Sequence, residues 1–409
     1  MTRPHRPPAF ANPAPRTVLN RRGFLKGSAL AGCSAAVWPL LTPVTLAAAP
    51  GENRLVVIIL RGAMDGLDAL RPVGDPGFAK LRDPSTFTKG EVVPLDGMFS
   101  LHPALAPLSG MWQAGELGFA HAVATPYRDK RSHFDGQDIL EAGTGRDVPE
   151  PQVRDGWLNR LVQITPGTSA QTAFAIGREP MQLLAGDASV MQWTPGTELA
   201  ADDQSERLLQ WLYEDDPLFH AAGNEAFILS SEMAGNAMGG ASAEARAVVQ
   251  MATFAAERLR AETRIAAFSI GGWDTHRNQR GVLTRRLGAL AETLLALKAG
   301  LGPDWGRTTV LAMTEFGRTV RINGTGGTDH GTGGAMLMAG GALRGGRAYG
   351  TWPGLGPGDL YKDRDLMPTE DVRRYAAWAL AGLFGTKQSA LETAIFPGLD
   401  MGVNPGILL

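Results

Sequence analysis

Six histidines follow residue 49, and three of them, His133, His276 and His330, stand in short turns beside acids or a hydroxyl. The turns read Ser132-His133-Phe134, Gly271-Gly272-Trp273-Asp274-Thr275-His276 and Gly327-Thr328-Asp329-His330-Gly331. Two further turns carry acids and arginines, Arg61-Gly62-Ala63-Met64-Asp65-Gly66-Leu67-Asp68 and Glu315-Phe316-Gly317-Arg318. Carboxylate oxygens combined with imidazole nitrogens suit Zn2+, Mn2+ or Fe better than Ca2+. The expected metal ligands are Asp65, Asp274, His276, Glu315, Asp329 and His330, holding one or two divalent ions, Zn or Mn first. So many acids brought together without a cation would repel one another. Taken singly, each motif has a plainer reading. Asp65 or Asp68 can cap the helix that follows, Glu315 can pair with Arg318, and the glycines from 324 to 334 can be hairpin turns.

Elements of the right kind flank these turns. Leu55 to Leu60 is a continuous apolar, mostly β-branched run, the pattern of a strand buried on both faces of a parallel sheet. Further strands are expected at Leu117 to Ala124, Arg264 to Ile270, Thr308 to Thr314 and Ala335 to Ala339. Leu287, Leu290, Leu294, Leu297 and Leu301 recur at helical spacing, as do Val248, Met251, Ala255 and Leu259. Glu370 to Phe384 reads as a packed helix. Strands alternating with such helices predict an α/β fold, a doubly wound, mostly parallel sheet with helices on both faces. In such sheets ligands bind beyond the carboxyl ends of the strands, where all five turns are expected to meet. Residues from about 167 to 240 lack a clean period and read as an insertion or cap on the single domain 50–409. Ser132, with a helix beginning at His133, is placed as its N-cap, where the helix dipole favours an alkoxide or a bound oxyanion.

Residues 1–49 are of another kind: six Lys or Arg, no acid, then an apolar run ending in Ala47-Ala48-Ala49. Asn20-Arg21-Arg22-Gly23-Phe24-Leu25-Lys26 has the twin-arginine pattern, so this is read as a signal peptide cleaved after Ala49 and recognised by the twin-arginine export machinery. Periplasmic or secreted residence follows. Leu30-Ala31-Gly32-Cys33 offers a second reading, lipid attachment at Cys33, the one cysteine of the chain. Loss of six positive charges takes the formal net charge from −2 to −8, which gives no support to nucleic-acid binding. No apolar run after residue 50 is long enough to span a bilayer.

The ordered strings Leu-Arg-Gly-Ala-Met-Asp-Gly-Leu, Ser-His-Phe, Gly-Gly-Trp-Asp-Thr-His, Thr-Glu-Phe-Gly-Arg and Gly-Thr-Asp-His-Gly resemble the exported bacterial family known as domain of unknown function 1501. That family in turn resembles the alkaline-phosphatase-like superfamily of phosphatases, sulfatases and phosphomutases. The resemblance implies two-metal ligation in which Asp65 follows the first strand, Asp274 and His276 form a pair, Glu315 supplies part of a further pair and His330 closes the set. It makes Ser132 the nucleophile, with His133 beside it, and Asp329 a further ligand or an orienting group. Where the superfamily has Asp-His after the fourth strand, this chain has Glu315-Phe316. One imidazole is therefore absent, which implies a single-ion site or His133 as the replacement ligand. Arg61, Arg128, Lys130, Arg131 and Arg318 flank the motifs as candidates to clamp an oxyanion, Arg61 foremost. The implied function is metal-dependent hydrolysis of a small anionic phosphate or sulfate ester. The alternative is a non-catalytic exported binding or assembly protein that keeps a relic of the site.

Overall fold

The computed structural model describes residues 51–82, 93–145, 155–177, 181–194 and 243–409. The expected signal peptide, with Cys33, lies outside the described residues, as do positions 195–240 of the expected insertion.

Among the described residues nine strands form one sheet: β1 (Arg54–Leu60), β2 (Leu117–Ala124), β3 (Ala173–Ile176), β4 (Met191–Trp193), β5 (Ile265–Ile270), β6 (Thr308–Met313), β7 (Gly334–Ala339), β8 (Arg347–Tyr349) and β9 (Glu370–Asp371). Their order is β8-β2-β7-β6-β1-β5-β3-β4, with β9 beside β2. β1 pairs in parallel with both β5 and β6, and β3 pairs in parallel with β5 and β4. The described helices include α1 (His133–Ala142), α2 (Trp157–Ile164), α3 (Ala243–Arg260), α4 (Gln279–Leu301) and α5 (Val372–Phe384).

After Arg54, β1 is apolar because both of its faces are covered. Val56, Ile58 and Leu60 pack in one core with residues of α3 and α4, including Leu259, Leu287 and Leu294. Leu55, Val57 and Ile59 pack in another with Trp157, Leu161, Tyr375 and Leu380 from α2 and α5. A period-2 alternation is lost when both faces are buried, and the whole heptapeptide is sealed from solvent. The expected doubly wound α/β sheet is therefore present, and all five expected strands are there to within a residue.

Two features depart from the sequence reading. Part of the segment expected to be a cap belongs to the sheet itself: β3 and β4 continue it beyond β5. Runs of four and three residues are too short to display a period. β7 runs antiparallel to both neighbours, β2 and β6. It reaches β6 through residues 314–333, which contain no helix. Because β7 is reversed, the loop entering it lies at the carboxyl edge of β1, β5 and β6, and this is what brings Asp329 and His330 to the other turns.

His102 and His121, the two described histidines outside the turns, are core residues. Burial lowers the pKa of each to about 4, against weaker opposing carboxylate charges. Below the unfolded value near 6.5 the unfolded chain takes up a proton that the folded chain refuses, so stability falls as pH drops from about 6.5 towards 4. At about 1.4 kcal/mol per pKa unit the loss is up to ~3 kcal/mol per histidine. Urea titrations across that window are expected to show His121→Phe flattening the slope. An unchanged slope would mean that His121 is not held neutral.

Candidate metal centre

Three imidazoles and one carboxylate converge at the carboxyl edge. His133 begins α1, immediately after Ser132, whose Oγ accepts the Asp135 amide at 3.3 Å as a helix N-cap. Asp274 and His276 follow β5, and His330 lies before β7. His276 Nε2 is 2.9 Å from His330 Nε2 and 3.1 Å from Asp274 Oδ1. His330 Nε2 is 3.4 Å from the same oxygen, and His133 Nε2 is 3.4 Å from Asp274 Oδ2. Ligand atoms of His133, Asp274 and His330 all lie within 4.8 Å of one another.

Each imidazole is anchored through its other nitrogen. His133 Nδ1 meets Glu315 Oε1 at 2.8 Å, His276 Nδ1 meets Asp329 Oδ1 at 3.1 Å, and His330 Nδ1 meets the Arg131 carbonyl at 2.8 Å. All three partners are acceptors, so each Nδ1 is placed to donate and each Nε2 is turned toward the cluster. Outer acceptors of this kind fix the tautomer and orientation of metal-binding histidines. The Nε2 of His133 is buried and has no hydrogen-bond partner among the described residues. A buried Nε2 without a hydrogen bond, beside two other imidazole nitrogens and a carboxylate, suits a divalent cation. Asp274 and His276 leave the site open on one side, their side chains 43% and 41% exposed.

Burial opposes charge on His133, but its hydrogen bond to Glu315 and the charges of Glu315 and Asp274 outweigh this and hold its pKa above the ordinary imidazole value. His330 is shifted down, chiefly by burial and then by the positive His133 and Arg318. Burial also works against the Asp274 carboxylate, yet Arg318 more than offsets it and keeps the group ionised.

Glu315, expected as a ligand, is instead the holder of His133. Its side chain is fully buried, Oε1 accepting from the Gly62 amide, His133 and Gln137, and Oε2 from the Thr314 hydroxyl. Those donors outweigh the cost of burial and depress its pKa. Gly62 comes this close because it has no side chain: a Cβ there would stand 2.6 Å from the Asp274 nitrogen, and its φ is +116°. Glu315 does not pair with Arg318, which donates to Asp274 Oδ1 at 2.7 Å and to the carbonyls of Ala63, Trp273 and Thr328.

Asp65 is a second correction. It caps the short helix Gly66–Ala69 and is bound by Arg82 and Gln279, so its oxygens are engaged away from the imidazoles. The capping alternative describes it better than ligation. Arg61, expected to clamp substrate, is directed at Gln137 at 2.7 Å and Glu141 at 2.7 Å. Asp329 takes its orienting alternative, on His276. His133, expected beside Ser132 in catalysis, is held by Glu315 and faces Asp274 in the cluster. Asn323 escaped the sequence reading: its amide donates to Asp329 Oδ1 and to the His276 carbonyl, at 3.1 and 3.0 Å. No motif marks it, since its only signal is proximity in the fold.

Solved structures overlap this chain loosely. A lipoteichoic acid synthase, LtaP, from Listeria monocytogenes is 9% identical, with 87% of this chain and 78% of that chain covered at a TM-score of 0.41. A protein in the alkaline phosphatase superfamily from Vibrio parahaemolyticus is 13% identical, with 86% and 71% covered at 0.40. A TAB5 alkaline phosphatase mutant is 11% identical, with 71% and 91% covered at 0.33. Overlaps this loose carry no weight for the chemistry. No curated protein matches the sequence. From residue 106 to residue 393 the chain matches the family described as protein of unknown function (DUF1501), and it belongs to that family.

Proposed function

We propose that this protein is an exported, metal-dependent hydrolase of phosphate or sulfate esters, with one divalent ion held by His133, Asp274, His276 and His330. The observation that carries the reading is the convergence of three Nδ1-anchored imidazoles on one carboxylate. A bound divalent ion would supply Lewis acidity, polarising ester oxygens and lowering the pKa of a hydroxyl brought against it. The chain's own residues set up the rest. Glu315, Asp329 and the Arg131 carbonyl hold the three rings, and Arg318 keeps Asp274 charged. Ser132, adjacent to His133 at the start of α1, is the proposed nucleophile: its Oγ caps the helix, and the dipole there favours the alkoxide. Export by the twin-arginine machinery through residues 1–49, with periplasmic or secreted residence, is part of the proposal. No helix among the described residues is long and apolar enough to cross a membrane.

The test is a screen of aryl phosphates and aryl sulfates with metal-loaded and chelator-treated protein. Turnover is expected only in the loaded form. Ser132→Ala is expected to lose most of it while costing about 1 kcal/mol of stability as a lost cap. Ester turnover that survives complete removal of the ion would contradict the metal-dependent reading, and full turnover by the alanine variant would remove Ser132 from its role.

A further inference from the structure

Asp65 is the candidate ligand that the fold withdraws from the cluster, and what it binds instead leads back to the imidazoles. Its Oδ2 accepts from Gln279 Nε2 at 2.6 Å. The other end of that amide, Oε1, accepts from the hydroxyls of both Thr275 and Thr328, at 2.9 and 2.6 Å. Thr275 lies between Asp274 and His276, and Thr328 lies two residues before His330. A single oxygen therefore ties together the two loops that carry His276 and His330. All four side chains are buried.

The orientation of the amide is forced. An ionised carboxylate can only accept, so the Asp65 oxygen must face the NH2 and the carbonyl must face the threonines. Arg82, whose side chain is fully buried, pairs with both Asp65 oxygens, at 2.8 and 3.2 Å. Arg82 also donates to the carbonyls of Thr319 and Val320. The Thr319 hydroxyl in turn receives the Asp329 amide at 3.1 Å. Gln279 is the first residue of the 23-residue α4, so the far end of the brace is anchored by a long packed helix.

We propose that Arg82, Asp65 and Gln279 form a positioning device for the metal centre: through Thr275 and Thr328 they set the separation of His276 and His330, and hence the affinity and geometry of the bound ion. The inference rests on the metal-centre reading above and adds to it residues that touch no ion. It also assigns Asp65 a role that does not involve ligation.

The probe is Co2+ added to the metal-free protein, read by its dissociation constant and its visible absorption band, with thermal unfolding of the metal-free form alongside. Gln279→Leu and Thr328→Val are made in parallel. The first removes the bonds that Gln279 makes to Asp65, Thr275 and Thr328, and the second removes one donor with little change of shape, so a folded variant remains if the first fails to fold. Both are expected to weaken Co2+ binding, by roughly 10- to 100-fold for Gln279→Leu, the range seen when groups supporting metal ligands are lost. Both are also expected to alter the absorption band, which a merely structural residue would leave alone. Folded Thr328→Val with the wild-type dissociation constant and band overturns the inference while leaving the metal centre intact. Wild-type protein that takes up no Co2+ overturns the metal centre, and this inference with it.

Discussion

Replacing His330 with alanine is expected to cost the protein its metal ion and, with it, the stability that the ion confers. His330 faces both His276 and Asp274, and its Nδ1 is already committed to the Arg131 carbonyl, so no neighbouring imidazole can take over its Nε2. Loss of a direct ligand should weaken binding by more than the roughly 10- to 100-fold that follows loss of an outer partner. An ion that binds only the folded chain stabilises it by mass action, about 2.7 kcal/mol when the free ion is at 100 times its dissociation constant. The variant should lose that increment, while the metal-free forms of variant and wild type unfold at nearly the same temperature. The measurement is a pair of melting curves, with and without added Zn2+ or Mn2+. A variant that still gains the wild-type increment from the ion would remove His330 from the ligand set.

Glu315 should show the second large effect, of a different character. Its carboxylate is enclosed and receives four donors, three on Oε1 and one on Oε2. Glu315→Ala strands a backbone amide and an amide side chain and unties the His133 ring, while the Thr314 hydroxyl keeps the Leu60 carbonyl as its acceptor. Buried donors left without partners cost about 1–3 kcal/mol each, so a loss on the order of 3 kcal/mol is expected even without metal. Glu315→Gln is the finer instrument. It keeps the volume but removes the charge, leaving His133 Nδ1 a weaker, neutral acceptor. It should therefore weaken metal binding through His133 with a smaller loss of stability. Chemical denaturation of the metal-free variants, paired with metal titration, separates the two. Metal affinity unchanged in a folded Glu315→Gln protein would show that Glu315 supports the core and does not orient His133.

The contrast between Asp65 and Glu315 shows what the sequence made legible and what it withheld. The turns themselves were readable, because each follows a strand whose apolar run is bounded by Gly and charged residues, as at Leu55–Leu60 and Ile265–Ile270. That the turns after β1, β2, β5 and β6 share one edge also followed from the strand pattern, whereas the Asp329-His330 turn reaches that edge because β7 is reversed. The division of labour among the acids did not. Glu315 and His133 are 182 positions apart, and Asp65 and Gln279 are 214 apart. Whether a carboxylate meets an ion, an imidazole or a guanidinium depends on contacts between such distant residues, which no local spacing encodes. The reversal of β7 is an intermediate case. A parallel crossover between β6 and β7 would need a covering helix, and no helical period occurs between Thr314 and Ala335. That signal was present and was overshadowed by the parallel strands around it. His133 was nearly legible: its motif stood out, and the missing imidazole called for a replacement, but its direction is set by Glu315.

Metal analysis of the purified protein, by elemental mass spectrometry against protein concentration, tests the central claim most directly. The geometry predicts one divalent ion per chain, removed by chelation, restored by Zn2+ or Mn2+ and absent from His330→Ala. Protein that carries no ion as purified and takes none up when these metals are supplied would contradict the account.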